Sequence, residues 1–139
     1  MAGCAGRIGF EMSVEQSGGN GYPAVPYLEE RTFAFASRVV KLCHVLEGSG
    51  GATGRMLATQ LLRVGTSIGI TVAESVSASS RAEYVSGIAS AGRLARETRY
   101  WLRLAVDADI LREASLDGLL DEVGQIDVML AETYKQNEG

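Results

Sequence analysis

The sequence predicts an all-α protein, an antiparallel up-down bundle of four helices. Apolar residues recur at helical spacing in four long segments, and short polar or glycine-containing breaks separate these segments. The one stretch with strand-like composition has no convincing partner strand elsewhere in the chain. A chain of 139 residues is long enough for one domain with a substantial core. We therefore expect a single four-helix domain over residues 28–136.

Residues 1–27 do not follow the helical pattern. They contain six Gly and both Pro residues of the chain, and their apolar residues show no period. This composition is typical of segments that do not pack into a core, so we predict a flexible N-terminal extension. Its glycines and Glu11 also interrupt the continuous apolar stretch that a secretory signal needs.

The composition favours a cytoplasmic protein that does not contact a membrane. Charged residues make up 22% of the chain, and no apolar run approaches the roughly 18 residues of a membrane span. Of the two cysteines, Cys43 lies in an apolar-periodic segment and is interpreted as a core residue, and a disulfide to Cys4 is not expected.

The stretch GSGGATG at 48–54 separates the first two predicted helices. Gly and Ser in such density break regular structure, so we interpret the stretch as a linker. It superficially resembles a phosphate-binding loop. However, it lacks the Lys-Ser/Thr ending and the preceding strand that such a loop requires.

The second predicted helix contains the strand-like stretch, RVGTSIGITVAES at 63–75. Its β-branched residues favour a strand, and Gly65 and Gly69 would each cost a helix roughly 1 kcal/mol. The stretch nevertheless continues a helical apolar period that begins at Met56. The two glycines, four residues apart, would share one side of the helix and let a neighbouring helix approach closely. We therefore predict a helix.

Capping signals mark the last two helices. Ser80 and Glu83 have the spacing of a capping box, and no strong break follows until about residue 107. Asp109 suits the left-handed conformation that ends many helices. Ser115 is placed to cap the fourth helix, whose apolar residues are Leu116, Leu119, Leu120, Val123, Ile126, Leu130 and Tyr134.

The net charge of the chain is −4, and the charged residues are distributed unevenly along it. Residues 79–106 hold five Arg and two Glu, whereas residues 107–139 hold nine acidic and two basic residues. Four arginines of the third helix fall within an arc of about 120° and form one basic stripe near Tyr100. They are Arg93, Arg96, Arg99 and Arg103. A row of guanidinium groups can contact successive phosphates, which makes RNA or DNA a candidate partner.

An alternative use of these arginines is pairing with acidic residues of the fourth helix, within one subunit or between subunits. The protein would then be a protein-only assembly module that binds no nucleic acid. Candidate acidic partners are Asp117, Asp121, Glu122 and Glu132.

A second polar set lies on the second and third helices. Arg63 and Glu74 are eleven residues apart, three helical turns, so they share a face with Ser67 between them. Glu97 and Trp101, four apart on the third helix, would lie opposite. The functional interpretation is a polar site at the centre of the bundle. The structural interpretation, which we favour, is a network that fixes the register of the two helices.

The sequence predicts no catalytic residue, no metal site and no cofactor. The polar set contains no nucleophile–base pair, and the glutamates lack the paired Glu-x-x-His motifs of di-metal bundles. Arg38 and the single histidine, His44, match the loose Arg–His spacing of a class of metal-independent ribonucleases. Six residues apart on a helix, their side chains would point about 120° apart. A ribonuclease is therefore the third alternative.

Two strings of this sequence resemble a known family. They are Arg-x-x-Thr-Ser-Ile-x-x-x-x-Ala-Glu, from Arg63 to Glu74, and Glu-Thr-Arg-Tyr-Trp-Leu at 97–102. Together with their surroundings, roughly residues 28–135, they resemble the four-helix-bundle proteins encoded by open reading frames inserted in bacterial 23S ribosomal RNA genes.

The resemblance implies a ring-like homo-oligomer, a homopentamer, with no known enzymatic activity. A relative in that family, the accessory variability protein of diversity-generating retroelements, binds nucleic acid and a reverse transcriptase through a basic surface. From the resemblance we therefore expect a non-enzymatic scaffold whose partners are its own copies, RNA or DNA, and a reverse transcriptase or other nucleic-acid enzyme.

Overall fold

The structure, a computed structural model, describes residues 25–138, and these form an all-α bundle without strands. Each helix packs on the next in sequence, and the fourth closes on the first through a smaller contact. The prediction of a four-helix bundle is confirmed. The helices are α1 (Val25–Ser49), α2 (Gly51–Val76), α3 (Arg81–Asp107) and α4 (Leu119–Glu138), with a 3₁₀ helix at Glu113–Leu116 before α4.

One apolar core runs the length of the bundle. Every helix contributes side chains at the helical spacing seen in the sequence, so the periodic stripes meet at the bundle axis. The largest fully buried side chains are Tyr84, Phe35, Leu28, Leu46, Leu61, Ile68, Ile88, Leu102, Ile126, Leu130 and Val39.

Residues 63–75 are helical, as predicted, and α1 lies against their glycines. A Cβ placed on Gly65 would lie 2.9 Å from Val39 Cγ1, and one on Gly69 would lie 3.2 Å from Thr32 Oγ1. Neither distance leaves room for a methyl group unless the facing side chain of α1 shifts. The poor helix propensity of this stretch is therefore offset by the close packing that it permits.

The interpretation of 48–54 as a linker is wrong in extent, because only Gly50 separates α1 from α2. Gly51 has φ of +68°, a left-handed conformation that glycine adopts without strain. A Cβ on Gly50 would lie 2.8 Å from Gly54 Cα and 2.9 Å from the Leu46 carbonyl oxygen. The glycines therefore serve a tight reversal of the chain, and those after Gly50 begin α2.

The start and end of α3 follow the predicted signals with one difference. Ser80 Oγ accepts a hydrogen bond from the Glu83 N–H, but the Glu83 carboxylate reaches back to the N–H and hydroxyl of Ser79. These bonds to Ser79 lower the pKa of Glu83. Asp109 has φ of 62°, the left-handed conformation expected after the helix.

The prediction that Ser115 caps the fourth helix is wrong. Ser115 lies inside the 3₁₀ helix, and α4 begins at Leu119, after Asp117 and Gly118 with φ of 50° and 83°. Arg38 of α1 donates a hydrogen bond to the Asp117 carbonyl oxygen. The chain therefore turns twice before α4, and α1 holds the turn.

The predicted N-terminal extension falls mainly on residues 1–24, which lie outside the described residues. Helix α1 begins at Val25, three residues before the predicted domain start at 28. Pro26 is compatible with this position because a first-turn residue donates no intrahelical hydrogen bond. Leu28 is already part of the core.

Among residues 25–138, α2 alone is long and apolar enough to cross a membrane. One such helix is weak evidence, because a core helix passes the same test by length and composition. In the bundle, α2 packs between α1 and α3, and Leu61, Ile68 and Val72 of its inner face are fully buried. The absence of membrane contact stays a prediction.

We predict that Gly65→Ala lowers the free energy of unfolding by up to about 2 kcal/mol. The new methyl group meets Val39, a buried β-branched residue with little rotamer freedom, and overpacking costs about 1–3 kcal/mol. This cost exceeds the gain in helix propensity of about 1 kcal/mol. Urea unfolding followed by circular dichroism measures the change.

The matched control is Gly124→Ala in α4, where an added Cβ meets nothing within 4 Å. Only the better helix propensity of alanine applies there, so the free energy of unfolding of this variant is expected to rise by up to about 1 kcal/mol. Equal stabilisation by both variants would contradict the close approach at Gly65.

Candidate functional site

The four arginines of the predicted basic stripe lie on the outer surface of α3, opposite its core face. All four are exposed: Arg93, Arg96, Arg99 and Arg103. Tyr100 lies among them with 60% of its surface exposed. The helical period of α3 produces this division, because its buried residues recur at three- and four-residue intervals on the other face. We call the four arginines and Tyr100 the arginine face.

The arginines differ in what they contact. Arg96 Nη1 lies 3.0 Å from Asp127 Oδ1 of α4, and Arg93 Nη2 donates to Ser90 Oγ at 2.9 Å. Arg99 and Arg103 have no side-chain hydrogen bond or ion pair with any residue in the described part of the chain. Two of the four guanidinium groups are therefore available to an external ligand.

Within one chain, the acidic partners proposed from the sequence do not pair with this stripe; pairing between subunits stays a prediction. Glu122 Oε2 instead lies 2.8 Å from Arg31 Nη2 of α1, and Asp117 Oδ2 lies 4.0 Å from Arg38 Nη2. Asp121 and Glu132 form no ion pair within residues 25–138. Asp127, which was not among the candidates, lies on the flank of α4 that faces α3. The number of acidic residues along 107–139 does not indicate which of them lie on the flank of α4 that faces α3.

The second polar set is only partly brought together. Arg63 Nη2 lies 3.3 Å from Glu97 Oε2, which also accepts a hydrogen bond of 3.4 Å from Trp101 Nε1. Ser67 Oγ donates to the Arg63 carbonyl oxygen at 2.6 Å and does not extend the network to α3. The Arg63 and Glu97 side chains are about half exposed, so this network lies at the surface and not at the bundle centre.

Glu74 does not join this network, contrary to the sequence interpretation. It shares a face with Arg63, but eleven residues correspond to about 16 Å along the helix axis, beyond the reach of the two side chains. Its exposed carboxylate lines a shallow cavity between α2 and α3 with Ser86 and Ser90. A common face is necessary for contact but is not sufficient.

Sequence reasoning missed a cluster around Arg31, which joins α1 to α4. Its guanidinium group donates to Glu122 Oε2 at 2.9 Å, Gln125 Oε1 at 3.0 Å and the Tyr27 hydroxyl at 3.3 Å. Hydrogen bonding to Tyr27, and then to Glu122, raises the pKa of Arg31. The i, i+4 spacing of Tyr27 and Arg31 was readable, but the partners on α4 are more than ninety residues away in sequence.

The structure does not bring together the groups of the ribonuclease alternative. His44 is exposed, and Arg38 is directed to Asp117 of the turn before α4. Cys43 is buried against Ala58, and burial raises the pKa of its thiol to about 11. The thiol is therefore not a nucleophile at neutral pH. Over residues 25–138, no group of three His, Cys, Asp or Glu residues could hold a metal ion.

An apolar groove lies between α1 and α2 on the outside of the bundle. It has a volume of about 820 Å³ and is lined mainly by apolar atoms. Phe33 and Ile70 on its walls are 75% and 55% exposed, and Val40 is also exposed. We call this feature the α1–α2 groove. A contiguous exposed apolar surface of this kind is a candidate contact site for another protein.

We predict that Arg31→Ala lowers the free energy of unfolding by about 2 kcal/mol, and Arg63→Ala by less than about 1 kcal/mol. The Arg31 and Glu122 side chains are each 22% exposed and join α1 to α4, whose contact is smaller than those between consecutive helices. The more exposed Arg63 pair is screened by water. Urea unfolding followed by circular dichroism measures both. Arg31→Lys is the control, because it keeps the charge but loses the fork of donors; equal effects of the two alanine variants would contradict the assignment.

Comparison with known proteins gives one family match and a similar solved structure. The model of the 23S rRNA-intervening sequence protein family matches residues 29–132. No curated protein matches the chain. A crystal structure of a protein with unknown function from the S23 ribosomal protein family of Bacteroides thetaiotaomicron is similar, with a TM-score of 0.72 and 28% identity over 78% of this chain and 98% of that chain.

These matches bear on the family and the fold. The relation to the accessory variability protein of diversity-generating retroelements stays a prediction. The family match covers most of the bundle, including both strings that carry the resemblance. On this basis, the chain belongs to the 23S rRNA-intervening sequence protein family.

Proposed function

We propose that the protein is a non-enzymatic, cytoplasmic scaffold that assembles with copies of itself through the α1–α2 groove. The observation that carries this proposal is the exposed apolar surface of Phe33, Val40 and Ile70. Burying such surface against another chain releases about 25 cal/mol for each Å² removed from water. The occupant we assign is a second copy of this chain, because the family resemblance implies a homo-oligomer.

Charges at the edge of the groove support a contact between protein surfaces. Glu29 and Glu30 lie near the start of α1, and Lys41 lies three turns further along the same groove. Burial raises the pKa of Glu29, so its carboxylate already lies in a partly dehydrated environment. A polar rim around an apolar centre is the usual anatomy of a protein–protein interface. The number of copies, five, follows from the resemblance alone.

A second function, nucleic-acid binding, is favoured by the free guanidinium groups of Arg99 and Arg103. They lie beside the exposed ring of Tyr100, an arrangement suited to phosphates and bases. The net charge of −4 does not oppose a local contact, because screening limits the reach of distant charges to about 10 Å. Assembly would also present several arginine faces to one strand, which multiplies a weak contact.

An enzyme partner and a ribonuclease activity have less support than self-assembly and nucleic-acid binding. A reverse transcriptase or other nucleic-acid enzyme as a partner rests on the resemblance only. A ribonuclease activity would require Arg38 and His44 to meet across subunits, since their contacts within one chain differ. RNA incubated with the protein is therefore expected to remain intact.

We predict a mass in light scattering that is five times the 14.7 kDa of one chain. Phe33→Asp and Ile70→Asp each place a charge in the α1–α2 groove, so both are expected to shift the mass toward one chain at low micromolar concentration. Circular dichroism checks that the helices persist.

Val128→Asp provides the matched control, because Val128 is an apolar residue of α4 with 56% of its surface exposed but outside the groove. It is expected to leave the mass unchanged. A wild-type mass equal to one chain would contradict self-assembly. If Val128→Asp lowered the mass and the two groove variants did not, the interface would lie outside the α1–α2 groove.

We predict that the protein binds structured RNA at low salt and that replacing both Arg99 and Arg103 by alanine weakens binding at least about tenfold. Each arginine lost should lower the slope of log affinity against log salt by about one. Fluorescence anisotropy at two or more salt concentrations measures both quantities.

Arg55→Ala is the control, because Arg55 is an exposed arginine of α2 and not of α3, the helix that carries the arginine face. It is expected to change affinity less than twofold. Absence of binding at low salt would exclude this function and leave the protein-only assembly module.

A further inference from the structure

We propose that a pocket at the C-terminal end of α3 binds an unpaired guanine base, with the ring of Tyr100 stacked on the base. This inference rests on the proposed nucleic-acid function and names the chemical group that the arginine face recognises. The pocket has a volume of about 430 Å³, which exceeds that of one base. Its lining comprises Tyr100, Arg103, Leu104, Val106, Asp107, Glu113 and Leu120.

The aromatic wall of this pocket, Tyr100, contacts the neighbouring ring of Trp101. The Tyr100 and Trp101 rings meet edge to face, with centroids 6.2 Å apart and an interplanar angle of 77°. Trp101 is held in turn by its bond to Glu97, which is paired with Arg63 of α2. A ring that already contacts a neighbour has less conformational freedom to lose when a base stacks on it. The structural network and the arginine face are therefore connected.

The polar groups of the pocket are unused within the chain. Arg103 and Asp107 have the i, i+4 spacing that often forms an ion pair, yet no ion pair joins them. Glu113, at the start of the 3₁₀ helix, also has no side-chain partner among residues 25–138. One guanidinium group and two carboxylates thus border an apolar floor, and a ligand with donors and a phosphate would satisfy both charges.

The carboxylates select guanine among the bases. A carboxylate only accepts hydrogen bonds, and guanine alone presents two adjacent donors, N1–H and the N2 amino group, on its Watson–Crick edge. Adenine and cytosine place an acceptor beside their amino group, and the uracil donor lies between two carbonyl groups. Asp107 or Glu113 would accept the two guanine donors, while Arg103 contacts the phosphate.

The next phosphate along a strand has a second arginine within reach. Arg99 lines an adjoining cavity that shares Leu120 with this pocket. A strand of RNA could therefore place one base in the pocket and its backbone along Arg99 and Arg103. A free guanine nucleotide has the same base and phosphate chemistry but lacks the second phosphodiester, so the two sources are distinguishable.

The test compares fluorescently labelled single-stranded uracil octamers that carry one central guanosine or one central inosine. Inosine lacks only the 2-amino group. We expect the full-length protein to bind the guanosine octamer about tenfold more tightly, since one bidentate contact discriminates by this order. Replacing both Asp107 by Asn and Glu113 by Gln should reduce this ratio to about one, whatever happens to overall affinity.

Two substitutions of Tyr100 test whether its ring stacks on the base. Tyr100→Ala should weaken binding of the guanosine octamer about tenfold, and Tyr100→Phe, which keeps the ring, less than about twofold. Competition by guanosine monophosphate distinguishes the sources. Displacement at concentrations similar to those of unlabelled octamer indicates a nucleotide site, and displacement only at concentrations at least about tenfold higher indicates a strand.

Equal affinity for the guanosine and inosine octamers, or equal loss in the Ala and Phe variants of Tyr100, would overturn the guanine pocket. If RNA binding then still depended on Arg99 and Arg103, the proposed nucleic-acid function would stand without it. If neither octamer nor structured RNA bound at low salt, both proposals would be wrong.

Discussion

The close approach of α1 and α2 at two glycines is the contact on which the rest of the bundle depends. With Val39 and Thr32 of α1 against Gly65 and Gly69, the two backbones lie nearer than ordinary side chains would permit. A helix in that position cannot rotate or slide without collision, because interiors are packed near solid density. The single-residue turn at Gly50 fixes the start of the same pair.

The orientation of α2 then determines what its other faces contact. One flank of α2 carries Arg63 to Glu97 and Trp101 of α3, while Ile70 stays outside with Phe33 of α1. The α1–α2 groove and the surface network of Arg63, Glu97 and Trp101 thus both follow from the way α2 packs on α1. Trp101 continues the connection to Tyr100, so the exposed aromatic ring of α3 is placed by contacts that begin at α2.

The helices could be predicted from the sequence because their signals are local. Apolar periodicity identified α2 despite its β-branched residues, and the Ser80–Glu83 spacing located the start of α3. Contacts between helices depend on register, which no local pattern specifies. Glu74 therefore was assigned to a network that lies about 16 Å away along the axis, and the partners of Arg31 on α4 were not seen.

The acidic last segment shows why total charge is a poor guide to an interface. Eight acidic residues follow α3. Glu122 lies on the α1 flank of α4 and is paired with Arg31, and within residues 25–138 only Asp127 forms an ion pair with the arginine face. An ion pair forms where two flanks meet, and a side chain on another flank is separated by water. Arg99 and Arg103 are therefore unpaired in an acidic protein because of helix geometry, and a basic surface can persist beside an excess of acid.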